Sequence, residues 1–351
     1  MPSTLAATKT TMIFRQARLR CVCALLFVPL YAFAELASAT TSFEFATGEQ
    51  GRAIIGTRDE HVQRLSPLVR ALKAKSEASV SGPDFLRLLA STVQPWSDTD
   101  RATVQGALDS IRPQLAVLSL PLPETVVFVR FTGAVEGNAP HTRANAVLLT
   151  DRSVQRSAGL GRLIAHELFH IASRRDKAWR DAMYATIGFA PISEIALPPQ
   201  LASRKITNPD APRIDVAIKV DTSDSVAWVA PLLQSTVDRY DASRPAEFFA
   251  FTRLHWLEVV RGKHQPEQAE VSEPLRLRNT AELCGFLEQI ARNTQYIIHP
   301  EEILAENFAQ LATGETGPSP EVHQRLRDAL QSKSVNSSSL ESWVSVASKC
   351  Q

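Results

Sequence analysis

Leu163-Ile164-Ala165-His166-Glu167-Leu168-Phe169-His170-Ile171 is the stretch on which the reading of this chain turns. Residues four apart on an α-helix lie one above the other, so His166 and His170 present both imidazoles from one face, at a spacing that can share a metal ion. Glu167 is turned away from them by about a hundred degrees, beside the ion rather than on it, where a general base for a metal-activated water must stand. Leu163, Ile164, Leu168, Phe169 and Ile171 supply the apolar setting of a helix held rigidly in a core. Two imidazoles and a carboxylate with an open fourth position match the tetrahedral preference of zinc, so one catalytic Zn2+ is the expected cofactor. Two merely structural histidines are the alternative.

Such an ion needs a third protein ligand. No histidine follows His170 within a few residues, which removes an extended three-histidine arrangement. Further on, His299-Pro300-Glu301-Glu302-Ile303-Leu304-Ala305-Glu306-Asn307-Phe308-Ala309 places acids on a helix whose Ile303, Leu304, Phe308 and Leu311 form an apolar face. Glu302 and Glu306 stand one turn apart, so one can ligate the metal while the other receives the outer nitrogen of a ligating histidine. First-turn acids are common on any helix, and it is the upstream pair of histidines that singles out Glu302 as the ligand. Tyr296, His299 and Tyr184 are the candidates for steadying charge on a reacting carbonyl oxygen, and each would serve equally as a core or capping residue. His61, His141, His255, His264 and His323 have no comparable spacing.

The first forty residues differ in kind. Lys9, Arg15, Arg18 and Arg20 precede the apolar run 21–34, and small-x-small cleavage patterns stand at Ala32-Phe33-Ala34 and Ala37-Ser38-Ala39. This reads as a signal peptide over 1–39 and predicts a periplasmic or secreted product with no later membrane span. Cys21 and Cys23 would leave with it, and Cys284 and Cys350 would remain as a possible disulfide. The formal net charge of +1 over 351 residues carries no basic footprint for nucleic acid. An apolar fraction of 44% argues for a globular chain rather than a disordered one.

Apolar residues recur at helical spacing over 62–72, 83–93 and 104–115, which makes 40–120 an N-terminal helical subdomain continuous with a catalytic region over 121–351. The β-branched and aromatic runs 124–131 and 144–150 read as strands, separated by a loop at Gly133, Gly137, Asn138 and Pro140. Helices are expected from near Ser157 through the histidine pair, and over 177–187, 227–240, 245–260, 280–293 and 301–312. With five prolines and Asn208-Pro209-Asp210, 191–212 reads as an irregular surface excursion. From Thr313 onward the chain is polar, turn-rich or weakly amphipathic, and little there suggests chemistry. The expected fold class is α+β, predominantly helical, with a small sheet beside the active-site helix.

On the two quoted stretches the chain resembles the gluzincin metallopeptidases, in which a His-Glu-x-x-His helix is completed by a glutamate from a later helix. Glu302-Ile303-Leu304-Ala305-Glu306 is similar to the Glu-x-x-Ala-Asp form of that later motif. The resemblance implies a zincin-like fold, His166, His170 and Glu302 as zinc ligands, Glu167 as base, Glu306 orienting His166, and a peptide or protein as substrate. It also implies that a strand upstream of the zinc helix, here 144–149, pairs with the extended substrate. Two departures stand out: Glu306 is one methylene longer than the aspartate, and the wide gap between the motifs leaves room for an insertion such as 191–245. The motif does not itself choose among peptide, cell-wall amide and deacetylation chemistry, and a secreted binding protein with a vestigial metal site is the non-enzyme reading.

Overall fold

The structure, a computed structural model, describes residues 41–244 and 246–331. The expected leader over 1–39 and the expected cysteine partner Cys350 lie outside the described residues; Cys284 is disulfide-bonded.

The described chain opens with β1 (Ser42–Phe45) and five helices: α1 (Gly48–Ile55), α2 (Glu60–Gln63), α3 (Pro67–Lys73), α4 (Gly82–Ser91) and α5 (Asp98–Leu118). Side-chain oxygens of Thr47, Asp59, Ser66, Ser81 and Ser97 each accept an otherwise unpaired backbone N–H at the start of these helices. Ser66-Pro67 divides the single helix expected over 62–72, because the proline at the first helical position begins a new one. The region 40–120 is not helical throughout, since β1 pairs in parallel with the strand that follows α5.

That strand is β2 (Thr125–Phe131), followed by β3 (His141–Arg143) and β4 (Ala146–Thr150). The sheet order is β1-β2-β4-β3, with β3 antiparallel to β4 and the others parallel. Val126, Phe128, Val147 and Leu149 enter one core cluster, whereas Val129, Phe131, Ala146 and Leu148 enter another. A sheet covered on both faces explains why these strands read as continuous apolar runs. One expectation is corrected here: 144–149 is not a substrate-pairing edge, because β4 is flanked by β2 and β3. The edge on the β4 side belongs to β3, a strand of three buried residues.

After α6 (Asp151–Gln155) come α7 (Leu160–Arg175), which carries both histidines, and α8 (Lys177–Ala185). Gly161 lets α7 pack tightly on α5: a Cβ there would lie 3.1 Å from the Ala107 carbonyl oxygen and 3.0 Å from the Ser110 hydroxyl. The segment between the motifs then builds a second sheet from β5 (Phe189–Pro191), β6 (Val216–Asp221), β7 (Val226–Ser235), β8 (Thr252–Arg261), β9 (Ala269–Val271) and β10 (Leu277–Arg278), with the short α9 (Pro199–Ala202) after β5. All its pairings are antiparallel.

This sheet corrects the helices expected over 227–240 and 245–260. Val229 and Trp256 turn to the main core and Ala230, Leu232, Leu257 and Val259 to a third cluster, so an apolar run buried on two faces imitated a buried helix. Pro231 is accommodated in β7 beyond the last residue paired with β6. The helix expected over 280–293 shrinks to a 3₁₀ turn and α10 (Phe286–Ile290), with Ala291 at positive φ ending it. Finally α11 (Pro300–Thr313) carries the second motif, and α12 (Pro320–Gln331) buries Val322, Leu326 and Leu330 in a region read as weakly amphipathic. The architecture is a helix-rich α+β arrangement with the motif-bearing helices α7 and α11 in the main core.

Candidate metal centre

From Ile164 to Ser173 every residue of α7 is buried, and α11 is buried along nearly its whole length, with Phe169 and Phe308 packed ring to ring at 5.8 Å. Burial on all sides fixes the two helices against each other and so fixes the side chains that project between them. His299 accepts the Glu301 N–H at the start of α11, and Pro300 sets the first helical φ, which delivers Glu301 and Glu302 toward α7.

Glu302 Oε2 lies 3.2 Å from His166 Nε2 and 3.5 Å from His170 Nε2. The three donors converge within 4.8 Å of one another and are all buried. Behind them, Glu306 Oε1 stands 3.1 Å from His166 Nδ1, and Arg162 donates to Glu306 Oε2 at 2.6 Å. Glu301 Oε1 accepts from His170 Nδ1 at 2.8 Å, and its Oε2 accepts from the Ser173 and Tyr184 hydroxyls at 2.6 and 2.5 Å. With both Nδ1 atoms facing carboxylates, both Nε2 atoms are directed at the one oxygen of Glu302.

The protonation of the site shows what it is built to hold. Burial works against a charged His166, yet its contacts with Glu302 and Glu306 raise it to about 9. His170 is likewise pushed up against burial, by Asp210, Glu302 and Glu301. Glu302 is held well below the usual carboxylate range despite burial, chiefly by the two imidazoles. Positive charge is thus stabilised at the point where the three donors meet, the place a cation would take. His170 Nε2 and Glu167 Oε2 are buried without a hydrogen-bond partner, which fits an ion and a water between them. His166, His170 and Glu302, with Glu167 adjacent, form a catalytic zinc site of the kind that hydrolyses peptides.

A cleft of about 380 Å³ opens over these residues. Tyr296 lines it, its ring stacked 6.5 Å from that of His166 and its side chain partly exposed. His299 and Tyr184 do not line it. His299 is spent on capping α11 and packs 5.9 Å from Tyr184, and burial lowers it to about 4, so it is neutral and faces the wrong way to steady charge in the cleft. Tyr184 is spent on Glu301.

Three residues of the site carry no signal in the sequence patterns. Glu301 reads as an ordinary first-turn acid, yet it is fully buried against His170. Asn208 and Asp210 read as turn formers, yet Asn208 Nδ2 donates to Glu302 Oε1 at 2.7 Å and Asp210 lies within 4.8 Å of Glu167 and His170. Asp210 Oδ1 also accepts from the Thr142 N–H at 3.0 Å and from Arg174 at 3.1 Å. The edge of β3 is therefore covered by this carboxylate at Thr142.

Compared with known families, with characterised proteins and with solved structures, the chain has no match.

Proposed function

We propose that this protein is an exported zinc-dependent peptidase with a zincin-like fold. One observation carries the reading: two imidazoles from α7 and one carboxylate from α11 meet at a buried point beside the unpartnered carboxylate oxygen of Glu167. When bound there, zinc lowers the pKa of a water toward about 7 and polarises the scissile carbonyl.

Glu167 takes the proton of the attacking water and passes it to the leaving amine. Burial, and then the neighbouring Asp210, raise its proton affinity far above that of an exposed carboxylate, which suits a group that must both accept and return a proton near neutrality. Glu306 and Glu301 hold the two imidazoles in the tautomer that points Nε2 inward. Tyr296, which lines the cleft beside His166, is the donor toward the negative charge that develops on the carbonyl oxygen. The leader read over 1–39 supports a periplasmic or secreted setting, and among the described residues no helix is long and apolar enough to cross a membrane.

The test is metal content and hydrolysis of a denatured protein, measured on the parent, Glu167→Gln and Glu302→Ala. The parent is expected to hold one zinc and cleave. Glu167→Gln keeps the zinc and loses cleavage, whereas Glu302→Ala loses the metal. Full cleavage by Glu167→Gln would sink the mechanism, and tightly held zinc without peptide cleavage in the parent would move the chemistry to another amide.

A further inference from the structure

Asn208 reaches the metal centre from outside both motifs, on a strap delivered by the second sheet. Ile206 N–H donates to the Leu233 carbonyl at 2.8 Å and Ser235 N–H to the Arg204 carbonyl at 2.8 Å, which fastens the start of the strap along β7. Its far end is fastened where Asp210 accepts from Thr142 on β3, and Lys205 Nζ ties the two ends together through the Pro212 carbonyl at 2.8 Å. Between these anchors Asn208 uses its two amide atoms differently. Oδ1 accepts the Asp210 N–H at 3.0 Å and closes the turn, while Nδ2 donates to Glu302 Oε1 at 2.7 Å.

A carboxylate can offer a metal one oxygen or both. Here Oε1 of Glu302 is engaged by the Asn208 amide, and Oε2 alone faces His166 Nε2 and His170 Nε2. Among the described residues no other donor reaches Oε1. We propose that Asn208 is a positioning residue that restricts Glu302 to a single-oxygen ligand and so keeps a coordination position free for the attacking water. The proposal rests on the zinc reading above and adds a residue to it. It also gives the strap of 206–210 a purpose, since two separate anchors hold one amide against one carboxylate oxygen.

The experiment must separate the turn from the donor. In Asn208→Ser the hydroxyl can still accept the Asp210 N–H but is too short to reach Glu302; Asn208→Ala removes both contacts. Zinc affinity is measured by chelator competition, coordination by the visible spectrum of the cobalt(II) protein, and folding by the unfolding temperature of the metal-free protein. Asn208→Ser is expected to lose about 10- to 100-fold in zinc affinity, with weaker cobalt bands that signal a higher coordination number and an unchanged metal-free unfolding temperature. Parent-like zinc affinity with a superposable cobalt spectrum overturns the proposal. So does a loss of affinity matched by an equal fall in metal-free stability in both variants, which would make Asn208 a turn residue only. A parent that takes up no zinc overturns the metal site and this inference together, an outcome distinct from failure in the variants alone.

Discussion

His170 Nδ1 and Glu301 Oε1 stand 2.8 Å apart in a part of the core closed to solvent, and the other oxygen of Glu301 is shared by the Ser173 and Tyr184 hydroxyls. A carboxylate held by three donors cannot turn away from the imidazole, so it fixes the tautomer of His170 and makes its Nε2 a better donor to a metal. Glu301→Gln keeps the shape but removes the charge. Zinc affinity is expected to fall about 10- to 100-fold, read by chelator competition, with a smaller effect on folding. Parent-like affinity would reduce Glu301 to a structural acid.

Asp210 contributes negative charge next to the base. The acid limb of activity reports protonation of Glu167, whose affinity for a proton is raised by burial first and by Asp210 second. Glu167 works only when deprotonated, so activity falls as pH drops through its pKa. Asp210→Asn preserves an acceptor for Thr142 but removes the charge, which lowers that pKa and moves the acid limb of kcat/KM to lower pH. A limb that stays in place, or moves upward, would show that Asp210 does not tune the base.

Tyr296 offers a separate test of the cleft. Phenylalanine retains the ring stacked against His166 and deletes only the hydroxyl. Tyr296→Phe is expected to lower kcat by about 100-fold with little change in KM or in zinc content. A rise in KM alone would instead assign the hydroxyl to substrate binding.

How far the chain could be read before its structure follows from where each signal resides. His166, Glu167 and His170 share one helix, so local periodicity was enough to place them, and Glu302 followed from the need for a third ligand on a second apolar helix. Asn208 and Asp210 were opaque, because their local chemistry is that of a turn and their approach to Glu302 and Glu167 is set by pairing of 204–206 with β7, far along the chain. The second sheet is hidden in the sequence for a related reason. Residues 226–235 are apolar on both faces, and a strand buried on both sides has no period-2 alternation to distinguish it from a buried helix. Pro231 was the available signal, since a proline in the middle of a helix breaks it. His299 is a candidate by its nearness in sequence to Glu302, and of its two readings the capping one holds: a residue before Pro300 sits at the cap, where its side chain turns back on the backbone.

Lys73 and Glu136 form an ion pair in the wall of the cleft, with side chains only 4% and 2% exposed. Burial favours a neutral Glu136, but the Lys73 ammonium, with His141 and Arg143 behind it, holds the carboxyl below its usual range. A carboxylate with a depressed folded pKa contributes stability above its unfolded value of 4.5, and that contribution is lost as pH falls through the folded pKa. Lys73→Met leaves Glu136 buried and unpaired, which is expected to cost about 3–5 kcal/mol near neutral pH. The sign of the pH dependence should then reverse at this site. Without Lys73, burial raises the carboxyl instead, so the variant is penalised least at acid pH, where Glu136 is protonated in both states. Urea unfolding at about pH 4 and about pH 7 checks this: the deficit of Lys73→Met against the parent must shrink on acidification. Adding Glu136→Gln to Lys73→Met should recover much of the loss at neutral pH, because the amide carries no charge to bury. A deficit that is the same at both pH values would mean that Lys73 stabilises the fold through packing, including its contact 4.7 Å above the Phe248 ring, and not through its charge.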